Sequence, residues 1–391
     1  MRTILRSLPA TLDQTYERML CGIDDLYFDE ALTLLQWLSY AKAPPTLGQL
    51  AEAVIVDPAA GETEEVDVEN RGRLEDALDI LSGLVTVFGS GVEHGDDGAG
   101  IDGGSRASHM DDPASNRYPG DSDHRSQRVT ADSQLRLAHF SVKEYLESPR
   151  ILKSKAKRFH LQREREHAFL AHSCLAYFTF YSQDERNSST ERDLVDYPLL
   201  KYAAESWYYH SSLQEGVDVG REASFLDSEQ LRVDWLFVHS PDRYGGPFLH
   251  PVDNPGPSVY YAAYLGLDKV VEELLARGNS VNSGGRYGTA MYAAASRGHV
   301  KVLTILLAGG ADVNARGGLH GSALKAASRR GHEKVVEMLL ARPDLRREGG
   351  MFEGAMSEAL FKGHERIAHM LRQAANTEAG ERAGASSSLS M

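Results

Sequence analysis

Cysteine is nearly absent from this chain: Cys21 and Cys174 are its two, far apart in the sequence. A secreted scaffold stapled by disulfides would carry more, so a reducing compartment is expected. Long apolar runs are missing as well, and none approaches the ~20 residues that a membrane-spanning helix needs. The opening stretch, MRTILRSLPATLDQTYERML, is broken by charged and polar residues where a signal peptide requires an apolar centre. Positive charge is in deficit: 42 Lys and Arg face 56 Asp and Glu, a formal net charge of -14. That balance argues against general adhesion to nucleic acid or acidic membranes, while leaving room for a local basic patch. These absences lead to the expectation of a soluble cytoplasmic protein without a membrane partner, the nucleus remaining open.

What is present is periodicity. The 391 residues suffice for two or three domains. Within them GLDKVVEELL, GHVKVLTILL, GHEKVVEMLL and GHERIAHMLR begin at Gly266, Gly298, Gly331 and Gly363, spaced by 32, 33 and 32 residues. A short Ala-rich segment precedes each glycine (YYAAYL, MYAAASR, LKAASRR, MSEALFK), where small side chains let two helices approach closely. After the second helix come ARGNSVNSGG, GGADVNARGG and a degraded ARPDLRREGG, whose Gly and Asn suit a left-handed turn. Helix, turn, helix and projecting loop on a period near 33 residues resembles the ankyrin repeat.

Each such unit bares an apolar face that only its neighbours cover. Val270, Val271, Leu274 and Leu275 supply it in the first unit, and Val335, Val336, Leu339 and Leu340 in the third. The fourth unit has Glu358 and Arg372 where the others carry Ala and Leu, which predicts a terminal cap facing water. Stacked first helices and loop tips form the concave binding face of such arrays. In this register Tyr261, Tyr264, Arg286, Tyr287, Arg297, His320, Arg329 and Arg330 are expected to point there. Tyr and Arg are the residue types that anchor interfaces. Reversing the charge of Arg297, Arg329 and Arg330 should then remove partner binding without unfolding the array.

Upstream, residues 1–88 predict helices. Leu12, Tyr16, Met19, Leu20 and Ile23 recur at helical spacing, as do Ala31, Leu34, Leu35 and Leu38. Pro44-Pro45 ends the second helix and Thr46 can cap a third. A further helix over 74–82 leads into the β-like run LVTVF at 84–88. Residues 89–133 are rich in Gly, Asp, Ser and Arg and cannot bury enough surface to offset ordering, so disorder is expected. Order returns at LRLAHFSVKEYL; if LVTVF pairs with LRLAHF, the insertion is a hairpin loop, and helices followed by a hairpin make a winged-helix arrangement.

The segments SLPATLDQTYERML, LQWLSYAKAPPTLGQLAEAVIVD, LRLAHFSVKEYLES, HAFLAHSCLAYF and YPLLKYAAESWYYH resemble a block of fungal NACHT-type, NLR-like ankyrin proteins. The winged-helix part is similar to the one associated with GPI inositol-deacylase-like proteins. The resemblance covers nearly the whole chain apart from 89–133 and the tail. It implies a place between an NTPase module and ligand-sensing repeats. The chain departs from that family where catalysis would lie. A Walker A loop needs Gly-Lys-Ser/Thr to cradle phosphate and hold magnesium, and no Gly-Lys pair occurs. The resemblance therefore implies the C-terminal part of such a protein, as a truncated paralogue or an incomplete gene model.

Other motifs read as bland. Gly98, Gly100 and Gly103 spell GxGxxG inside the low-complexity insertion, without the strand and helix a dinucleotide site requires. His364, Glu365 and His369 miss the zinc-protease spacing by one residue, and His299, His332 and His364 are read as structural. His139 reads as a satisfied buried histidine, not a catalytic base. The basic stretch RILKSKAKRFHLQRERE at 150–166 reads as a solvated helix or linker face. LEDALDILSG, in the position of a recognition helix, is acidic and apolar, so phosphate contact there would be repulsive.

The expected fold is therefore mainly α: a winged-helix domain over 1–150, a helical middle segment over 151–245, about four ankyrin units forming an α-solenoid over 246–376, and a disordered tail over 377–391. The expected function is protein–protein interaction, as an adaptor or the sensing end of an NLR-like protein, with no enzymatic activity. The alternatives are the C-terminal fragment of a NACHT NTPase switch and, more weakly, a nucleic-acid-binding regulator. The expected partner is a protein of unknown identity, with no small-molecule substrate, cofactor or metal, and nucleic acid disfavoured.

Overall fold

The computed structural model describes residues 10–58, 66, 76–88, 130–214, 218–242, 255–285, 288–318, 321–346 and 350–388. Most of them are helical. At the N-terminal end stand α1 (Ala10–Cys21), α2 (Phe28–Tyr40), α3 (Leu47–Val54) and α4 (Asp76–Ile80), followed by strands β1 (Val85–Phe88) and β2 (Gln134–Leu137) and helix α5 (Phe140–Leu146). The apolar periodicity of α1 and α2 works as expected: Leu20, Leu34 and Leu35 are buried and Tyr16 is nearly so. Thr46 caps α3 through a reciprocal pair, its Oγ1 accepting from the Gln49 amide at 3.2 Å while Gln49 Oε1 accepts from the Thr46 amide at 3.0 Å.

The two strands pair antiparallel, Val85 opposite Leu137 and Phe88 opposite Gln134, so 89–133 does join the arms of a hairpin. Most of that insertion, 89–129, lies outside the described residues. Its last residues fold back onto α3, whose first amides donate to the carbonyls of Ser133 and Ala131, both at 2.9 Å. His139 corrects an expectation. It is exposed and is the N-cap of α5, its Nδ1 accepting from the Ser141 amide at 3.2 Å. A residue that must offer an acceptor to an orphan amide at a helix start has no need of burial. The basic stretch after α5 is two 3-10 turns anchored by buried Ile151, Ala156, Phe159 and Leu161, with Lys153, Lys157 and Arg158 among its cationic members.

The middle segment is built round α6 (Arg163–Gln183), with α7 (Asp193–Asp196), α8 (Leu200–Ser211), α9 (Gly220–Asp227) and α10 (Glu229–Val238). Helix α6 buries residues all round its axis, among them Leu170, Cys174, Tyr177 and Phe178, because it has the hairpin unit on one side and α8 to α10 on the other. Trp207 packs edge-on against Trp235 at 5.6 Å and against Phe225 at 5.5 Å. The Trp235 ring in turn meets Tyr261 at 5.7 Å, which joins this core to the last third of the chain.

That last third is a stack of helix pairs: α11 (Ser258–Leu265) with α12 (Asp268–Ala276), α13 (Ala290–Arg297) with α14 (Val300–Ala308), α15 (Ala323–Arg330) with α16 (Glu333–Leu340), and α17 (Gly350–Phe361) with α18 (Glu365–Ser388). Two short strands, β3 (Gly284–Gly285) and β4 (Gly288–Thr289), form the projecting loop between the first and second pairs. Val270, Val271, Leu274, Val335, Val336 and Leu339 are buried as the pattern requires, and Leu275 and Leu340 half-buried. Each pair is tied to the one before by the histidine that follows its αL glycine. His299, His332 and His364 hold the carbonyls of Tyr264, Ser296 and Arg329 at 3.1, 3.1 and 3.2 Å through Nε2. These histidines are structural.

Three expectations need correction. The turn asparagines are not left-handed: positive φ falls on Gly278 and Gly310 instead. Asn282 and Asn314 bridge successive turns, Asn282 accepting from the Asp312 amide at 2.8 Å and Asn314 from the Arg346 amide at 2.7 Å. Glu358 does not simply face water, since it pairs with Arg329 of the preceding unit. The tail beyond Asn376 continues α18 to Ser388, in keeping with the high helix propensity of Ala374, Ala375, Ala379, Ala383 and Ala385.

Candidate functional site

The first helices of the pairs, α11, α13, α15 and α17, stack side by side, and their outward positions form one continuous face. Small side chains set this up. Ala262, Ala263, Ala294, Ala295, Ala327 and Ala359 are fully buried between helices, which leaves the longer residues at the helix ends to build the surface. In the register fixed by the αL glycines, Leu265, Arg297, Arg330 and Lys362 occupy equivalent positions, and the three cations are exposed. Lys362 follows from the same register as Arg297 and Arg330, being the residue before the glycine of the fourth unit, and alignment of the four units could have found it.

The expected contact residues divide. Arg297 lies on this face with its guanidinium 4.9 Å above the Tyr264 ring. Tyr264 is mostly covered, stacked on Tyr260 at 6.2 Å, and its hydroxyl pKa is raised by burial. Tyr260 donates to Asp242 Oδ2 at 3.2 Å. Arg330 is exposed. Arg329 is half-buried, its guanidinium 2.6 Å from Glu358 Oε2, with Lys325 Nζ 3.7 Å from the other oxygen. Tyr261 is not on the face: it is fully buried and edge-on to Trp235, at the position where the next two units bury Ala293 and Ala326. Arg286, Tyr287 and His320 lie outside the described residues.

At the far end of the face Phe361 is 76 % exposed and Leu360 51 %, with Lys362 Nζ 5.2 Å from the Phe361 ring. The arrangement can grip a partner by charge and by an apolar contact. Among the described residues no cluster of His, Cys, Asp and Glu could hold a metal.

Residues 259–348 match the family model described as ankyrin repeats (3 copies). This part of the chain is an array of ankyrin repeats. The three matched repeats are the first three helix pairs; α17 and α18 form a fourth pair beyond the matched span. The chain is also similar to the azaphilone pigments biosynthesis cluster protein L of Monascus ruber, 35% identical over 290 residues. The match takes in 70% of this chain and 52% of that protein, so the chain spans about half the length of this relative. Ankyrin repeats are protein-interaction modules, and among the described residues no helix is long and apolar enough to cross a membrane.

Proposed function

We propose that the protein acts by binding and not by catalysis, and that the first-helix face of its ankyrin repeats receives an acidic protein segment with an apolar residue. The observation that carries this is the row Arg297, Arg330 and Lys362, exposed at equivalent positions of successive repeats in a chain of net charge -14, ending beside exposed Phe361. Local charge opposite in sign to the whole speaks for a chosen partner over general solubility.

A photo-crosslinking residue at position 361 would trap the partner for identification by mass spectrometry, and its affinity would then be measured directly. Arg297→Glu, Arg330→Glu and Lys362→Glu together should weaken binding about tenfold or more at an unchanged melting temperature. The wild-type affinity should fall as salt rises. Equal affinity of the reversed and wild-type proteins would sink the proposed face.

The resemblance to NLR-like proteins supports a second reading, in which this chain is the sensing or regulatory end of an NTPase switch. The relative's name connects it with azaphilone pigment biosynthesis, which makes proteins of such a pathway the first partners to try. An immunoblot of the endogenous protein decides the second reading. A band far above 43.0 kDa supports it, whereas a band at 43.0 kDa overturns it and leaves the binding role standing.

A further inference from the structure

A cavity of about 680 Å³ lies between the end of α2, helix α5, the start of α6 and α8. Lys143, Arg163, His167, Tyr40, Glu147 and Glu164 are the residues that set its chemistry. Glu147 is already engaged, accepting from the Tyr40 hydroxyl at 2.7 Å and lying 3.8 Å from Lys143 Nζ. Lys143 also donates to the Ser39 carbonyl at 2.6 Å. Burial, opposed by Glu147 and reinforced by Arg163, holds its pKa below the usual lysine range. Arg163 is exposed and forms no ion pair among the described residues. The lining thus holds two cations and two carboxylates, of which Glu147 is engaged by Tyr40 and Lys143 while Arg163 and Glu164 stand at the exposed rim.

A buried chain of hydrogen bonds ends here. The Lys42 amide donates to the Tyr202 oxygen at 2.9 Å, and Tyr202 lies 2.8 Å from His210 Nε2. When Tyr202, which accepts from Lys42, gives its own proton to His210 Nε2, the chain runs towards the cavity. The His210 Nδ1–H then faces His167 Nδ1 at 2.9 Å, which must accept. His167 is left with its proton on Nε2, and its ring, only 4% exposed, lines the cavity. The network thus pre-orients one buried N–H donor.

The 21-residue helix α6 starts at the same place, and its N-cap residue Gln162 supplies no side-chain cap bond. The Gln162 amide is taken by Glu166 at 3.1 Å, but the first amides of the helix proper have no intrahelical acceptor. A tetrahedral anion with several acceptor oxygens suits such a set of donors better than a flat carboxylate does. A cavity of this volume also leaves room for the organic body that carries the anion. We propose that this cavity binds the phosphate group of a small molecule, held by Arg163, Lys143, the Nε2–H of His167 and the first amides of α6.

Calorimetric titration of the full chain with inorganic phosphate and with glucose 6-phosphate, in a buffer free of other multivalent anions, tests this. Saturable one-site binding is expected for both, with none for glucose. Arg163→Gln should weaken phosphate binding roughly tenfold, the effect of losing a charge-assisted contact. Glu164→Gln removes a repelling carboxylate from the rim and should tighten binding several-fold, a gain that misfolding cannot imitate. In parallel, the His167 ring nitrogen resonances should move on adding phosphate. Absence of saturable heat overturns the site, and so does binding that neither variant changes.

Discussion

A side chain on Gly298 would stand where the His332 ring stands. A Cβ built there comes within 2.6 Å of His332 Nδ1, and Gly298 has φ of 79°, in the left-handed region. Gly266 with His299 and Gly331 with His364 repeat the relationship. The glycine of one repeat and the histidine of the next are a single joint: the missing side chain admits the ring, and the ring holds the carbonyl of the preceding helix. Gly298→Ala should cost about 1–2 kcal/mol from backbone strain alone, with the collision added. His332→Ala should cost about 1 kcal/mol through its hydrogen bond, with lost packing added. In the double variant the collision disappears, so the two costs should fall short of their sum by about 1 kcal/mol. Urea unfolding of the four proteins measures this, and strict additivity would refute the joint.

The charge of Arg329 is used inside the array, against Glu358 of the next unit. Arg329→Glu would place a carboxylate against Glu358, so it should lower stability by about 1–2 kcal/mol, the cost of unpairing a partly covered ion pair. Arg297→Glu and Arg330→Glu should stay within about 0.5 kcal/mol of the wild type. The exchange Arg329→Glu with Glu358→Arg should recover most of the loss. Thermal unfolding separates these outcomes, and a harmless Arg329→Glu would return Arg329 to the partner contacts.

Tyr261 couples the middle helices to the repeats. Its ring is fully buried where α11 meets α10, edge-on to Trp235. Tyr261→Ala should cost about 3–5 kcal/mol, as other large aromatic truncations in cores do. Because the lost contact joins the middle helices to the first repeat, unfolding should also split into two transitions when followed by tryptophan fluorescence and by circular dichroism. The three tryptophans all lie before the repeats, so fluorescence reports one side. Coincident transitions in the variant would show that other contacts, such as Arg277 with Gly220 and Ser224, carry the coupling.

The repeats were legible because a fixed period writes each buried position several times over: Val270, Val302 and Val335 announce one another. The hairpin was legible from two β-like runs flanking a stretch that could not pack. What stayed hidden depends on neighbours outside the repeat. Tyr261 stands five residues before its αL glycine, as the fully buried Ala293 and Ala326 do, so the period marks it as an inner position, but Trp235, which meets its ring, lies outside the repeat. Glu358 looked like a solvated cap residue, since its partner Arg329 is 29 positions away. The cavity between α2, α5 and α6 could not be read at all, because Lys143, Arg163 and His167 carry no spacing that separates them from an ordinary helix surface.

Acid should weaken this protein well before its carboxylates protonate. His167 and His210 face each other at 2.9 Å through Nδ1, and one bond between two nitrogens needs one of them unprotonated. Burial chiefly, then the charges of Arg163 and Lys143, push the His167 pKa down to about 4. Burial, His167 and Lys42 push His210 down to about 3. Both values lie below the ~6.5 of an unfolded histidine, so below that pH the unfolded chain binds protons that the native chain refuses. Stability is therefore full above about pH 6.5 and lost as the pH falls towards 4, by up to about 1.4 kcal/mol per histidine for each pH unit. His239, lowered to about 4 by burial, adds to the slope. The melting temperature should drop between pH 7 and pH 5, and His167→Gln with His210→Gln should flatten that drop without abolishing it. An unchanged slope in the double variant would place the acid sensitivity elsewhere.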